Sequence, residues 1–315
     1  MTAISIVDGL DVAVLLPCFN DAPTIGAVVR GFAEALPGAR IYVFDNNSTD
    51  DTARAASLAG ARVFREGRQG KGNVVRRMFA DIEADIYVMA AGDGSSDPAD
   101  APSLVNALVT EHVDMVVGTR RGAGLEAGRS GDPLAKGGVN RLYRKLFGGG
   151  FTDIFSGYRA FTRRFVKSFP AISTGLEIET EMSVHASQLM IPVAEIDLSC
   201  GERPGCPAAN VGMFQEAVRM LGMFARLTKE TRPFLFFSLF ALPFWAAGLA
   251  LMAPVLAAIL GTGLAPSLPT AVMAAGLLVI GFLLAGCGLV LDGVGRSRIE
   301  QKRILFLTVP ALGVQ

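Results

Sequence analysis

Acidic and amide side chains recur at three points in the N-terminal half of the chain, each shortly after an apolar run. They are Asn20 with Asp21, the triplet Asp45-Asn46-Asn47, and Asp93 in a Gly-Asp-Gly sequence. Carboxylate and amide oxygens accept hydrogen bonds from polar ligands. If the fold brings these side chains together, they could line one ligand-binding crevice.

The glycine-rich segment Gly67–Gly72 adds the cation of Lys71 to this set. It lacks the GxxxxGK[ST] pattern of a P-loop, because Gly72 rather than Ser or Thr follows Lys71. A flexible turn that presents one cation to a phosphate group remains compatible with the sequence.

Apolar runs and helix-like segments alternate in the elements that must position these side chains. Strands are predicted at Asp11–Leu16, Ile41–Phe44, Ile86–Met89 and Met115–Gly118, and helices at Thr24–Leu36, Asp51–Ala59, Gly72–Asp81 and Asp100–Glu111. This alternation predicts an α/β domain with a mostly parallel sheet. Such sheets bind ligands at the carboxyl ends of their strands, where the acidic side chains follow. No predicted strand is followed by GxGxxG, which argues against a dinucleotide site.

The composition excludes several classes of protein. The 315 residues include 29 basic and 29 acidic side chains, so no basic excess favours binding of nucleic acid. Apolar residues make up 51% of the chain, which argues against disorder. Four cysteines are too sparse for a fold stapled by disulfides.

One long block of the chain carries no charge at all. From Pro233 to Leu291 there is no Asp, Glu, Lys, Arg or His. A bilayer-spanning helix needs about 20 apolar residues, so we predict two transmembrane helices, near 234–260 and 270–291. The predicted organisation is an α/β domain at 1–210, an amphipathic juxtamembrane helix at 211–232, the membrane helices within 233–292, and a basic tail at 293–315.

Cationic side chains flank the uncharged block on both sides, and none lies in the turn between the two predicted helices. They are Arg226, Lys229, Arg232, Arg296, Arg298, Lys302 and Arg303. The positive-inside rule therefore predicts a multi-pass protein of the cell membrane whose α/β domain and C-terminus are cytoplasmic. The helix at 211–232 is predicted to lie on the membrane surface, to pack against the α/β domain, or both.

A series of motifs between residues 11 and 240 resembles family 2 glycosyltransferases of the GT-A fold. More narrowly, it is similar to the polyprenyl-phosphate glycosyltransferases, the dolichol-phosphate mannose synthase-like group. Each motif is weak alone, but their order and the uncharged block that follows are specific. The motifs are Leu16–Asp21, Asp45–Thr52, Gln69–Gly72, Gly92–Pro98, Gly118–Arg120, Thr152–Arg159, Gly175–Glu181 and Glu202–Gly205.

The resemblance implies a nucleotide-sugar donor in the crevice. Asp45 would contact the nucleoside, and Lys71 could support the phosphates. Asp93 would hold Mg²⁺ or Mn²⁺ on the pyrophosphate, as a hard oxygen ligand that offsets charge on the departing nucleoside diphosphate. The implied donor-binding residues are Pro17, Asn20, Asp21, Asp45, Asn47, Lys71 and Gly92.

The implied acceptor is a polyprenyl phosphate in the membrane. Its phosphate is largely ionised at neutral pH, so a strong general base is less necessary than for a hydroxyl acceptor. Arg120 and Arg203 match the arginines that hold the attacking phosphate, and with Asp93 they are the implied catalytic residues. A single in-line displacement would invert the anomeric centre. The resemblance also implies a homo-oligomer and three supporting residues, Asp153, Arg159 and Glu177, of which Asp153 and Arg159 could form an internal ion pair.

Two departures from the family pattern keep alternatives open. Ala91 stands where the family has the first acid of Asp-x-Asp, and Asp97 could substitute for it in part. No lysine follows Gly205, where the family has Gly-x-x-Ser-Lys. The alternatives to a lipid-carrier transferase are a glycan-elongating transferase of the same family and a catalytically impaired homologue that acts as a partner. Asp45 and Asp93 could also belong to simple turns.

Overall fold

The structure is a computed structural model that describes residues 9–120, 153–154, 156–175, 177–198, 229, 232–262 and 268–312. The chain divides into two compact units. The first comprises Met1–Asn210 together with Lys302–Gln315, and the second comprises Val211–Gln301.

The first unit alternates strands and helices, as the apolar runs predict. The four predicted strands and four predicted helices are confirmed, with ends shifted by a residue or two, and β3, β6, β7, α5 and α6 are additional. In chain order the elements are β1 Val12–Cys18, α1 Ala22–Ala35, β2 Arg40–Asp45, α2 Thr52–Leu58, β3 Arg62–Arg65, α3 Lys71–Asp81, β4 Ile86–Met89, a 3₁₀ turn Pro98–Asp100, α4 Ala101–Thr110, β5 Met115–Arg120, β6 Arg159–Thr162, α5 Arg163–Ser168, α6 Ile178–Leu189 and β7 Val193–Leu198.

The described strands form one sheet in the order β3-β2-β1-β4-β6-β5-β7. All neighbours pair in parallel except β6, which is antiparallel to both β4 and β5. Cys18 at the end of β1 pairs with Asp45 at the end of β2, and Met89 at the end of β4 pairs with Arg159 at the start of β6. The sheet is therefore mixed, and the carboxyl ends of β1, β2 and β4 share an edge with the start of β6.

Helices cover both faces of this sheet, which explains why the central strands are apolar without alternation. Every residue of β4 is buried. On one face, Val14 and Leu16 of β1 pack with Phe32 of α1 and Leu104 of α4. These contacts hold the strand ends in register beneath the polar loops.

The other face carries an aromatic cluster. The rings of Phe161 and Phe165 stack with centroids 4.8 Å apart, and Phe169 stacks on Phe165 at 6.0 Å. His185 of α6 meets Phe165 and Phe169 edge-on. Burial lowers the pKa of His185 to about 3, with Lys302 adding to the effect, so its imidazole is neutral and belongs to the core.

The C-terminal segment Lys302–Leu312 packs within the first unit. Phe306 is buried, and the guanidinium carbons of Arg164 and Arg303 lie 4.8 and 5.4 Å from its ring centroid. Arg303 also donates a hydrogen bond to the carbonyl of Leu189. Leu312 packs against the apolar core. This unit therefore draws on both ends of the sequence.

The second unit contains the long apolar helix α7 Pro233–Thr262 and most of a second one, α8 Leu268–Thr308. The last turns of α8, from Lys302 onward, belong to the first unit. Both helices are long and apolar enough to cross a membrane. Helix α7 matches the predicted span at 234–260, whereas α8 continues past Leu291 through the residues predicted as a basic tail. The predicted amphipathic helix falls outside the described residues, apart from Lys229 and Arg232.

The two long helices pack antiparallel through small residues that face large ones. The ring of Trp245 in α7 contacts the ring of Phe282 in α8 at a tilt of 56°, with centroids 5.4 Å apart, and its indole lies against Gly281. Gly248 lies against Leu278. Contacts therefore move toward the start of α8 as they move toward the end of α7, as expected for antiparallel helices. Small residues let two apolar helices approach each other closely.

Candidate active site

Hydrogen bonds lock the loops after β1 and β2 together. Asn20 adopts a left-handed backbone conformation with φ +57°, which asparagine tolerates better than most residues. Its side-chain oxygen accepts from the Thr49 amide at 2.8 Å, and its own amide donates to the Ser48 hydroxyl at 2.9 Å. Asn20 is therefore a brace between the two loops, with Pro17 just before it on β1, paired with Phe44 of β2.

Asp21 and Asp50 complete this brace. The Asp21 amide donates to the Thr52 hydroxyl at 2.8 Å, and the Asp21 carboxylate accepts from the Phe19 amide at 3.0 Å. Asp50 accepts from the Ala22 amide and from Thr52, and the Thr52 hydroxyl lowers the pKa of Asp50. The β1 loop thus has a fixed shape before any ligand arrives.

The triplet after β2 holds the glycine-rich segment in place. Asp45 accepts from the Ser48 amide at 3.2 Å. The Asn46 side chain donates to the carbonyls of Glu66 and Arg68 and accepts from the Gly70 amide at 2.7 Å. The Asn47 amide group donates to the Gly67 carbonyl at 2.7 Å. The triplet ends β2 and begins the loop that follows it, and it also fixes the neighbouring glycine-rich segment.

A buried thiol and three carboxylates form the floor of the crevice. Cys18 is 2% exposed, and its burial, together with the negative charges of Asp21, Asp45 and Asp93, raises the pKa of its thiol well above the usual range. The thiol is therefore neutral. The convergence of three carboxylates gives the floor a negative field that suits a cation.

Gly92 has no side chain, and this allows its backbone to lie against the Cys18 sulfur. A Cβ on Gly92 would overlap Cys18 Sγ and would lie 3.1 Å from the Asp21 carboxylate. The Gly92 carbonyl accepts from the Thr24 hydroxyl at 2.9 Å. Gly92 thus ties the end of β4 to the start of α1.

Asp93 follows directly in an Asx turn. Its Oδ1 accepts from the Ser95 amide at 2.9 Å, and Gly94 supplies the positive φ that the turn requires. Asp97 caps the 3₁₀ turn, where its carboxylate accepts from the Ala99 amide at 3.0 Å. Asp97 therefore has a structural use of its own, beside the proposed role of replacing the acid missing at Ala91.

Lys71 begins α3 and forms an ion pair with Glu179 of α6, with Nζ and Oε1 2.5 Å apart. A Cβ on Gly157 would lie 3.2 Å from Lys71 Nζ, so the segment before β6 closes over this pair. The sequence motifs indicate Glu177, but the structure brings Glu179 to Lys71 and leaves Glu177 exposed before α6.

A loop at residues 171–175 backs the glycine-rich turn. The Gly72 amide donates to the Thr174 carbonyl at 3.1 Å. Arg76 donates to the Ala171 carbonyl at 2.7 Å. On the other side of the loop, the Glu181 carboxylate accepts from the amides of Ile172 and Ser173. The position of Lys71 therefore depends on contacts from both α3 and α6.

Of the remaining predicted site residues, the structure describes the contacts of Arg159 and Asp153 but not the side-chain contacts of Arg120 and Arg203. Arg159 is completely buried and donates to the carbonyls of Ser156 at 2.8 Å and Ile154 at 3.0 Å, so it shapes the segment before β6. The Asp153 amide contacts the Glu195 carboxylate at 3.4 Å. Arg203 and the side chain of Arg120 lie outside the described residues.

A mixed α/β sheet with an acid-lined crevice at its carboxyl edge is the architecture of nucleotide-sugar transferases of the GT-A type. The sequence pattern of glycosyl transferase family 2 matches residues 13–169. Glycosyltransferase AglJ of Haloferax volcanii is 32% identical over 246 residues, which are 76% of this chain and 79% of the relative. The chain belongs to glycosyltransferase family 2, and the predicted enzyme class, a nucleotide-sugar-dependent glycosyltransferase, is confirmed.

Two further comparisons concern glucosyl-3-phosphoglycerate synthases. The enzyme of Mycolicibacterium paratuberculosis is 30% identical over 234 residues, which are 67% of this chain and 70% of the relative. The crystal structure of the Mycobacterium tuberculosis enzyme with Mg²⁺ and UDP has a TM-score of 0.57 at 24% identity and covers 70% of this chain and 80% of that one. The same enzyme has been solved with Mn²⁺. The GT-A fold is confirmed, and the predicted Mg²⁺ or Mn²⁺ agrees with these structures.

Proposed function

We propose that this chain is a membrane-bound inverting glycosyltransferase that moves a sugar from a nucleotide-sugar donor to a polyprenyl phosphate carrier. The observation that carries the proposal is the combination, in one chain, of an acid-lined GT-A crevice with two long helices whose apolar side chains are mostly exposed. Exposed apolar helices of this length need a partner, and a bilayer supplies one.

The donor occupies the crevice at the carboxyl edge of the sheet. Asp45 and Asn47 bind the nucleoside, and the loop from Pro17 to Asp21 frames the base. Support comes from the hydrogen bonds that fix these loops to one another in advance, because pre-organised sites lose less entropy on binding. Lys71 and Gly92 flank the phosphates.

A divalent cation fits beside Asp93 if it is shared with the donor. Among the described residues, no three acidic, histidine or cysteine side chains cluster as a complete metal site. Mg²⁺ commonly binds through one or two carboxylates together with substrate phosphates, and the negative floor formed with Asp21 and Asp45 favours such a cation. When bound, Mg²⁺ or Mn²⁺ would offset the charge on the departing nucleoside diphosphate.

The acceptor phosphate approaches from the lipid side. Arg120 and Arg203 hold it in line with the anomeric carbon, where one displacement inverts the configuration. Arg159, Asp153 and Glu177 support the site from the loops around it. The α/β unit and the C-terminus lie in the cytoplasm under the positive-inside rule, α7 and α8 anchor a multi-pass protein in the cell membrane, and the subunits associate as homo-oligomers.

A lipid-glycosylation assay tests this function. The full chain in detergent receives Mn²⁺, undecaprenyl phosphate and each of several radiolabelled nucleotide sugars, and product is measured in the organic phase. We expect Asp93→Asn to lower the initial rate by about 100-fold or more. The variant loses the carboxylate that would hold the divalent cation, and this cation would offset the charge on the leaving group. The matched control is Asp81→Asn, on the exposed face of α3, which should retain the rate.

One observation favours a second acceptor class. The relative named glucosyl-3-phosphoglycerate synthase suggests a small water-soluble phosphorylated acceptor rather than a lipid. The same assay with 3-phosphoglycerate separates the two. Label that enters only the water-soluble product, with none in the lipid phase for any donor, would contradict the lipid carrier and support this second function.

A further inference from the structure

Glu179 lies at the crevice edge although its helix, α6, is distant in sequence from Asp93. Because β6 runs antiparallel to β4 and Arg159 pairs with Met89, Gly157 is level with the residues that lead into Asp93. A Cβ on Gly157 would lie 3.5 Å from Glu179 Oε1. The Glu179 carboxylate is therefore beside the end of β4, where the pyrophosphate end of a donor would lie.

Among the described residues, one oxygen of this carboxylate has a partner and the other has none. The Glu179 side chain is 7% exposed, and Oε1 contacts Lys71 Nζ at 2.5 Å. Oε2 is buried and accepts no hydrogen bond from the residues that the structure describes. A buried acceptor without a donor lowers the stability of the folded protein. In a binding crevice, a hydrogen-bond donor on the ligand can satisfy such an atom.

The chemistry of Oε2 restricts that ligand group. An ionised carboxylate only accepts hydrogen bonds, so the partner must donate one. The phosphates of a nucleotide sugar are anionic and would be repelled, whereas the sugar carries several hydroxyl donors.

On the basis of the proposed function, we propose that Glu179 Oε2 accepts a hydrogen bond from a hydroxyl of the donor's sugar and selects that sugar. Lys71 fixes the carboxylate through Oε1 and so aims the second oxygen. A donor that places a carboxylate at this position, such as a nucleotide uronic acid, is rejected because two negative charges would meet. A deoxy donor is rejected because Oε2 would remain unsatisfied.

The test compares binding of nucleotide with binding of nucleotide sugar. The full chain in detergent with Mn²⁺ is titrated calorimetrically with UDP, GDP, UDP-glucose, UDP-galactose and GDP-mannose. For the best-bound nucleotide sugar, we expect Glu179→Gln to weaken binding by about tenfold or more, as for loss of a hydrogen bond to a charged group. Binding of the matching nucleotide alone should change less than about twofold, because it lacks the sugar hydroxyl.

Glu111→Gln is the matched control, since it makes the same chemical change at the exposed end of α4. Because Glu111 lies away from Lys71 and Glu179, this variant should preserve the ratio of sugar-nucleotide to nucleotide affinity. If Glu179→Gln fails to fold, deoxy analogues of the best sugar on the unaltered protein replace it. One of them should then bind at least about tenfold more weakly.

The possible outcomes are distinguishable. Equal weakening of nucleotide and nucleotide sugar by Glu179→Gln would show that Glu179 acts only through Lys71, and would overturn the proposal. So would equal binding of every deoxy analogue. If the unaltered protein binds no nucleotide sugar at all, the proposed function fails as well.

Discussion

At the scale of single residues, space on the crevice floor matters as much as charge. Cys18 is neutral, so it does not compete with Asp93 for a hard cation, and its sulfur fills the volume that Gly92 leaves open. An acid at position 92 would have no room. The second carboxylate typical of the family could therefore be restored only at Ala91, which is half-buried.

Gly92→Ala should damage both stability and activity. The new Cβ would overlap Cys18 Sγ and press on Ile25 Cδ1 at 3.3 Å, and overpacking of this kind costs about 1–3 kcal/mol. The shift of the β4 end should also displace Asp93. Thermal unfolding in detergent and the lipid-glycosylation rate measure the two effects.

A second substitution checks the cause. Cys18→Ala removes the sulfur, so the double variant Cys18→Ala with Gly92→Ala should regain stability relative to Gly92→Ala alone. Additive losses in the double variant would argue that the sulfur is not the obstacle.

Residue-level prediction from sequence succeeds where a side chain acts close to its own strand end. Asp45 and Asp93 are visible because each follows an apolar run, and the structure brings their charges together at Cys18. The long-range contacts of Asn46 and Glu179 are not visible in this way. Asn46 bonds to a loop about twenty residues away, and Glu179 reaches Lys71 from a different layer of the fold. No local pattern encodes such contacts.

At the scale of elements, the glycine-rich turn is fixed by close backbone contact and is not an open phosphate loop. Gly72, in the first turn of α3, leaves no space for a Cβ against the Ser173 carbonyl, and Gly70 approaches the Thr174 carbonyl with φ +126°. A Cβ at either position would overlap the loop before α6, so the close contact between α3 and this loop requires both glycines. Lys71, which the sequence offers to a phosphate, lies between these two glycines.

Gly72→Ala should separate the two elements. Its Cβ would overlap the Ser173 carbonyl, which as backbone cannot move aside cheaply, so we expect a loss of about 1–3 kcal/mol and weaker nucleotide-sugar binding. Gly67→Ala is the control in the same segment, because no atom lies within 4 Å of its Cβ position. Chemical unfolding and calorimetry should distinguish the two variants, and equal effects would refute the steric explanation.

Two of the strands that the sequence does not predict, β3 and β6, each contain arginine. β3 has an arginine at each end and lies at the edge of the sheet, partly exposed, so it lacks an apolar run. β6 contains Arg159, which is fully buried only because backbone carbonyls satisfy its guanidinium. Apolar periodicity finds the central parallel strands and overlooks strands whose burial depends on such specific partners.

At the scale of the whole molecule, the α/β unit is discontinuous in sequence. Its buried residues include Phe306, and Leu312 packs against its core, although the rest of the unit precedes the two apolar helices. The predicted division into a catalytic domain, a membrane pair and a separate tail remains a proposal, and the packing of Phe306 supports a tail that contributes to the catalytic unit.

Phe306→Ala should destabilise the α/β unit by about 3 kcal/mol, as for other buried phenylalanines. The cause is loss of ring packing beneath Arg164 and Arg303. Leu307→Ala, on the same helix but mostly exposed, is the control. Urea unfolding, followed by the fluorescence of the tyrosines of the α/β unit, measures the difference in stability between the two variants. Equal midpoints for the two variants would show that the segment adds no stability.

The return of Phe306 and Leu312 to the α/β unit also bears on how the protein is made. A ribosome adds residues from the N-terminus onward, so the nascent α/β unit lacks part of its core until both apolar helices have been translated. The α/β unit therefore finishes folding only after both apolar helices have left the ribosome. Maturation of the enzyme is in this way coupled to the translation of its two long apolar helices.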